Sequence, residues 1–315
     1  MRTVAGRLVE INPWLRMGPC SPEACVEAPL DVAGFFRRVT RLVAAFLVLL
    51  AGVPVAVAAR WMRAAWRAKV TKVWARLLLS ALGIGIEVAA ASGTEAQVDE
   101  PGGVLLVANH VSWLDPLVMA ATTPSRPLAK REIADWPVIR TLVAGAGALF
   151  IDRERLSALP SAVAAVASAL RAGDTVVAFP EGTTWCGRGM GEFRPAVFQA
   201  AIDAGAAVRP ATLRYREGEA TSTRGSYVGN DSLLASFLRV AATRNLVVEV
   251  TLLAPVRLAP FRGAPTGRRQ EARAALARLA ESQVRAGVER PDKRAERDGR
   301  GCTNVRVEVP HTVPA

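Results

Sequence analysis

The sequence predicts an α/β fold: a largely parallel central sheet flanked by helices, preceded by an apolar N-terminal helical segment. Three observations predict it. From about residue 90 onward, short aliphatic runs alternate with stretches of helical periodicity. The runs are nearly continuous in apolar residues, the pattern of strands covered on both faces. Ahead of them, Leu42–Ala59 is an uncharged apolar stretch followed directly by a basic one.

Residues 1–35 carry several Pro and Gly and no strong periodicity, and read as a loosely ordered lead. Leu42–Ala59 is at the short end of what spans a bilayer, and Gly52 and Pro54 are expected to break it. It spans, or it dips in and returns. A signal-peptide reading is opposed by the forty or so residues before it, which include Glu10, Glu27 and Asp31. Arg60–Leu77 has six basic residues and no acid. At about 100° per residue, Met62, Trp66, Val70, Val73 and Leu77 form one narrow stripe. Arg60, Arg63 and Arg67 flank it on one side, and Lys69, Lys72 and Arg76 on the other. The pattern is that of a helix lying in a membrane interface, its cations at anionic headgroups. The alternative is a surface helix packed on the domain, which the lack of acids disfavours.

The strands are expected in Gly102–Asn109, Gly147–Arg153, Thr175–Glu181, Ala206–Tyr215 and Asn245–Val256. Leu156–Gly173 reads as a helix closed by glycine, and Pro195–Gly205 as one opened by proline. Gly267–Val288 is a late amphipathic helix. The resulting division is a lead at 1–35, a membrane-associated helical segment at 36–88, an α/β domain at 89–288 and a charged, disordered tail at 289–315.

The formal charge of +12 favours acidic partners: nucleic acid, anionic lipid, phosphorylated substrates or an acidic carrier protein. Aromatics are scarce, with no Lys/Arg-aromatic-Gly pattern, which argues against nucleic acid. The 51% hydrophobic content points instead to an anionic membrane surface. Cys20 and Cys25 lack a matching second pair or nearby histidine, so no metal site is expected. Cys186 and Cys302 stand alone in sequence, and nothing demands an oxidising compartment.

The chain has two histidines, and His110 lies five residues before Asp115. Along one continuous helix these side chains would diverge by about 140°. They meet only if His110 sits in a turn and the helix starts after it. Ser112 and Asp115 have capping-box spacing, which would start the helix there. Asp115 therefore either caps, or orients His110 as a general base, or does both.

The segment from Asn109 to Asp115 resembles the first block of the glycerolipid acyltransferase family, lysophosphatidic-acid acyltransferase type, whose hallmark is Asn-His-x-x-x-x-Asp. Leu149–Glu154, with Arg153, resembles the second block. Phe179–Thr183 matches the third. Val208–Tyr215, with Pro210, resembles the fourth, and Lys130 fits the approach to the second block. The resemblance covers roughly residues 70 to 260, with four blocks in family order. It implies the glycerolipid acyltransferase fold and an O-acyltransferase in which His110, held by Asp115, deprotonates the free hydroxyl of a lysolipid. That oxygen attacks the thioester of acyl-CoA or acyl carrier protein. Arg153, Glu181, Gly182, Thr183, Lys130 and Arg194 are the implied substrate-binding residues, with Glu181 fixing Arg153 or a backbone turn rather than touching phosphate. No metal or redox cofactor is implied beyond the thioester co-substrate. Cys186 has no second histidine in the motif to activate it, which argues against covalent catalysis.

One residue departs from the pattern. Many phosphatidic-acid-forming members have Arg after Gly-Thr in the third block, where this chain has Thr184. One cation for an acceptor phosphate is therefore missing, or is supplied elsewhere by Arg188 or Arg194. Ser226–Arg239 also resembles members that acylate other lysolipids, including lyso-ornithine lipid. The expected acceptor is 1-acylglycerol-3-phosphate, with lyso-ornithine lipid as the alternative, at the cytoplasmic face of the cell membrane. A reading of a different class is a non-catalytic lipid-binding or membrane-tethering protein, against which intact His110 and Asp115 argue.

Overall fold

In a computed structural model of the chain, residues 18–90, 102–152, 156–256 and 266–290 are described. Their elements run α1 (Pro22–Cys25), α2 (Phe35–Ala59), α3 (Ala64–Ala81), β1 (Ile84–Ala90), β2 (Val104–Ala108), α4 (Asp115–Thr122), β3 (Arg126–Lys130), α5 (Pro137–Gly145) and β4 (Leu149–Ile151). They continue with α6 (Leu159–Arg171), β5 (Thr175–Ala178), α7 (Phe198–Ala204), β6 (Ala207–Glu217), β7 (Ala220–Thr221), α8 (Leu233–Ala242), β8 (Leu246–Leu252) and α9 (Thr266–Val288).

The strands form one sheet in the order β1-β8-β6-β2-β5-β3-β4, with β7 on β6. The block from β6 to β4 is parallel throughout. β8 is antiparallel to β6 and parallel to β1. Successive strand residues face opposite layers, as the pleat requires. Leu106, Ala108, Val177, Leu213 and Tyr215 enter the core under α3 and α4. Leu105, Val107, Val176, Ala178 and Val208 enter the core under α6, α7 and α9. Both faces are dry, which explains strands that read as continuous apolar runs.

The five expected strands and three expected helices all form, with shifts of a few residues at their ends. β1 and β3 were not expected. β3 reads Arg-Pro-Leu-Ala-Lys, and only its middle is apolar. β1 contains Gly85 and Glu87 and pairs along one edge with β8. Because β1 joins this sheet, the helical segment expected to reach residue 88 ends at Ala81.

Gly52 and Pro54 do not break the apolar helix, which runs unbroken through 25 residues. Gly52 instead serves close packing: a Cβ there would sit 2.3 Å from Trp74 Nε1 on α3, and that Nε1 donates to the Val48 carbonyl at 3.1 Å. A similar approach joins Ala56 to Gly145 of α5. The other side of α2 leaves Phe35, Phe36, Val43, Phe46, Leu47 and Leu50 exposed. On α3, Trp66, Val73 and Leu77 are exposed, while Ala75, Leu78 and Leu79 make the buried face. The predicted stripe is therefore turned mostly away from the domain, with Val70 half-buried. Arg76 differs from expectation, because it donates to the Ala121 carbonyl at 2.8 Å. Of the described residues, α2 is the one helix long and apolar enough to cross a membrane.

The lead also differs from expectation over residues 18–34. Ala33 is fully buried, its N–H donates to the Ala242 carbonyl, and Val32 bridges Thr243. Residues 1–17 and the expected tail from 291 lie outside the described residues.

Candidate active site

The site is built on a turn after β2. Asn109, buried there, accepts from the Leu213 N–H at 2.8 Å and donates to the Leu213 carbonyl at 2.9 Å, fixing the turn to β6. His110 follows outside any helix, and α4 begins at Asp115. That break lets the two side chains meet: His110 Nδ1 lies 2.7 Å from Asp115 Oδ2. The same oxygen accepts the Val111 and Ser112 N–H groups at 2.6 and 2.8 Å. Asp115 thus caps and orients at once. The capping box is half formed, since Ser112 Oγ accepts from Leu114 N rather than from Asp115 N.

Tyr215, on β6, donates its hydroxyl to Asp115 Oδ1 at 2.6 Å. Asp115 is fully buried, so four donors compensate a charge that burial alone would penalise heavily. Burial and the Asp115 charge push the Tyr215 hydroxyl's pKa well above its ordinary range, so it stays protonated as a donor. With Nδ1 facing a carboxylate, the His110 tautomer is set and Nε2 is the ring nitrogen left for a proton. The ring stacks on Phe179 at 4.4 Å between centroids and is 17% exposed.

The third block follows β5 and clamps the same turn. Glu181, buried, accepts from His110 N through one oxygen and from Gly191 N through the other, both at 2.6 Å. Burial raises its carboxyl to about 8, against the lowering effect of those two N–H groups. Trp185 N donates to the His110 carbonyl at 2.8 Å, and Tyr227 N to the Val111 carbonyl at 2.9 Å. The Thr184 hydroxyl donates to the Tyr227 carbonyl, joining the third block to the segment after β7. Gly182 adopts φ +78°, and a Cβ there would stand 3.1 Å from Arg194 Nε.

Beside Phe179 lies a cavity of about 120 Å³, lined by Ile151, Asp152, Pro180, Gly182, Arg194 and Val197 among others. It continues into a smaller, wholly apolar void against α6, between Leu159 and Val166. Arg194 therefore lines this cavity. Lys130 is the exposed last residue of β3, in register with Ile151. Thr183 is half-buried beside Gly18. Arg153 lies outside the described residues. Arg188, one of two expected substitutes for the missing cation, is instead ion-paired with Glu27. Cys186 is not isolated: its sulfur meets those of Cys20 and Cys25.

Sequence reasoning missed the roles of Tyr215, Phe179 and Asn109. Tyr215 stands inside the fourth block, and its alternation with Leu213 and Ala211 placed it on one face, but nothing local indicated Asp115 as its partner.

Residues 91–214 match the family described as Acyltransferase. The chain is 39% identical over 175 residues to the 1-acyl-sn-glycerol-3-phosphate acyltransferase of Neisseria meningitidis, covering 56% of this chain and 67% of that one. It is 32% identical over 231 residues to the lyso-ornithine lipid O-acyltransferase of Pseudomonas aeruginosa, covering 70% of this chain and 79% of the relative. The chain belongs to the acyltransferase family. Its fold is that of the crystallised 1-acyl-sn-glycerophosphate acyltransferase PlsC from Thermotoga maritima, with TM-score 0.57, 16% identity, and coverage of 81% and 95% of the two chains. The match to the Neisseria protein spans about two thirds of that relative's length. In this acyltransferase three of the four blocks reach the carboxyl ends of parallel strands, with His110 after β2, Asp152 after β4 and Glu181 after β5, while the fourth, Val208–Tyr215, runs within β6.

Proposed function

We propose that this acyltransferase moves a fatty acyl chain from acyl-CoA or acyl carrier protein to the free hydroxyl of a lysolipid at the cytoplasmic face of the membrane, with 1-acylglycerol-3-phosphate as acceptor and phosphatidic acid as product. The observation that carries the reaction is the His110–Asp115 contact at 2.7 Å with the opposite ring nitrogen left for substrate. His110 Nε2 takes the proton as the acceptor oxygen attacks the thioester carbonyl. The C–S bond then breaks, and the thiolate leaves and takes up the proton. General-base assistance contributes about 10²–10⁴ in rate, and positioning much of the rest. Asp115 holds the tautomer and stabilises the imidazolium as it forms.

Arg153, Arg194 and Lys130 are the cations offered to an acceptor phosphate, and Glu181 acts through the backbone turn it fixes. The apolar void beyond Phe179 takes part of the acyl chain. The exposed stripes of α2 and α3 rest on an anionic membrane, so that acceptor and product need not leave the lipid phase.

A second acceptor reading is favoured by Thr184. Its hydroxyl is engaged by the Tyr227 carbonyl, and it offers no charge where many phosphatidic-acid-forming members have Arg. Tyr227 belongs to Ser226–Arg239, the segment similar to enzymes acting on lyso-ornithine lipid. The deciding experiment is an acceptor panel: purified protein, one acyl-CoA, and lysophosphatidic acid, lyso-ornithine lipid or no lipid, with free thiol as the readout. Release that depends on lysophosphatidic acid above the other acceptor supports the first reading. Release that depends on lyso-ornithine lipid supports the second. Absence of lipid-dependent release from either, or from acyl carrier protein as donor, contradicts both.

A further inference from the structure

Three cysteines that are remote in sequence meet behind the catalytic turn. Cys20 precedes Ser21, the N-cap of α1, and Cys25 ends that helix, while Cys186 comes from the loop after the third block. Their sulfurs all lie within 4.8 Å of one another. Cys20 and Cys186 are buried, packed with Val228, and Cys25 is half-buried beside them. We propose that Cys20, Cys25 and Cys186 bind one thiophilic metal ion, Zn²⁺, that clasps the N-terminal segment onto the loop supporting His110.

The geometry fits such an ion. Zinc–thiolate bonds of about 2.3 Å place tetrahedral sulfurs about 3.8 Å apart, so a small contraction closes the site. Three soft sulfurs with no carboxylate or imidazole select Zn²⁺ over hard cations. Cys25 is the least buried of the three, and water would complete the fourth position on its side. The Arg188 backbone N–H points at the Cys186 sulfur and the Arg188 guanidinium lies near it, so positive potential stands beside one of the three sulfurs. Binding displaces the thiol protons to solvent, and each sulfur donates one electron pair, so no oxidant is required.

The consequence reaches the active site through the backbone. Cys186 follows Trp185, whose N–H holds the His110 carbonyl, and Thr184, which holds Tyr227. On the other side, a Cβ on Gly229 would be 2.9 Å from the Cys20 carbonyl, showing how tightly the lead is seated. Glu27 adds its ion pair with Arg188 and accepts Arg224 Nη1 at its carbonyl. A metal at the sulfurs would fasten this seam covalently.

The test uses the full chain, purified in detergent with a non-thiol reductant and no chelator. Metal analysis should find close to one Zn²⁺ per chain. Co²⁺ titration of the zinc-stripped protein should give a thiolate-to-cobalt charge-transfer band that saturates at one ion per chain and is bleached by Zn²⁺. This measurement does not depend on any variant folding. C20S, C25S and C186S should each lose the band, with Zn²⁺ affinity falling by more than the roughly 10–100-fold that loss of an outer-shell partner costs. C302S should keep both. A chain that is isolated without zinc and shows no saturating cobalt band overturns the proposal. So does a band that survives in the three variants or disappears in C302S. Alkylation at lysis that reveals a disulfide between two of the three cysteines also overturns it.

Discussion

Tyr215 and His110 hold the two oxygens of one carboxylate: the Tyr215 hydroxyl is 2.6 Å from Asp115 Oδ1, and His110 Nδ1 is 2.7 Å from Asp115 Oδ2. In the proposed mechanism Tyr215 is a positioning residue, acting on His110 through Asp115. Tyr215→Phe removes one charge-assisted hydrogen bond, about 1.5–3 kcal/mol. If Asp115 is needed most as imidazolium forms, the loss appears in the barrier, lowering kcat roughly ten- to a hundred-fold with little change in KM. A variant with lowered Tm and unchanged kcat would assign Tyr215 to packing alone.

The Asn109 amide is the second support of the turn, and its partner is backbone. Asn109→Ala leaves the Leu213 N–H and C=O unpaired in a buried place, at a cost of about 1–3 kcal/mol per group. Thermal unfolding should show a clear loss of stability, and kcat should fall with it as His110 loses its anchor. A stability equal to the parent's would contradict this role.

Glu181 gives the fold a pH dependence whose sign follows from its raised pKa. Burial lifts the carboxyl from 4.5 to about 8. Between those values the folded chain keeps a proton that the unfolded chain has released, so stability falls as pH rises through the window. The slope has an upper bound of about 1.4 kcal/mol per pH unit. Below the lower value both states are protonated and the term vanishes. Tm measured from pH 5 to pH 8 should fall in the parent, and Glu181→Ala should start lower but flatten the fall. An identical slope in both proteins would remove Glu181 as its source.

Much of this was legible in the sequence, and the failures have physical causes. The strands under β2, β5 and β6 were readable because burial on both faces makes their runs continuously apolar. β3 was not, because its ends are Arg126 and Lys130 and its register is set by neighbours. His110 and Asp115 were readable from spacing once a turn was assumed. Tyr215 was not paired with Asp115, since the two are 100 residues apart and only the sheet joins them. Pro54 misled because proline costs a helix one hydrogen bond, which packing on α3 and α5 outweighs here. Cys186 looked isolated because its partners precede it by more than 160 residues.

The acceptor prediction rests on Thr184 and Arg194. Thr184→Arg should raise kcat/KM for lysophosphatidic acid more than for lyso-ornithine lipid, by up to roughly ten- to a hundred-fold for a new charge-assisted contact. Thr184→Val, which only releases the Tyr227 carbonyl, should not. Arg194→Ala should hurt the phosphate-bearing acceptor most. A parent that prefers lysophosphatidic acid by several hundred-fold, with a ratio unmoved by Thr184→Arg, would show that other cations suffice.

Membrane docking is tested on α3. Changing Arg63, Arg67, Lys69 and Lys72 together to Gln should weaken binding to anionic vesicles by about 1 kcal/mol per residue and reduce its sensitivity to salt. Binding as tight as the parent's at every salt concentration would contradict an interfacial helix.

The most direct measurement is release of free thiol from acyl-CoA by purified His110→Ala in the presence of the acceptor that the parent uses. The variant should fold and bind membranes as the parent does, because the Asp115 cap to Val111 and Ser112 and the Glu181 clamp on the backbone remain. Its lipid-dependent thiol release should be abolished. Near-normal turnover in His110→Ala would contradict the account of His110 as the base.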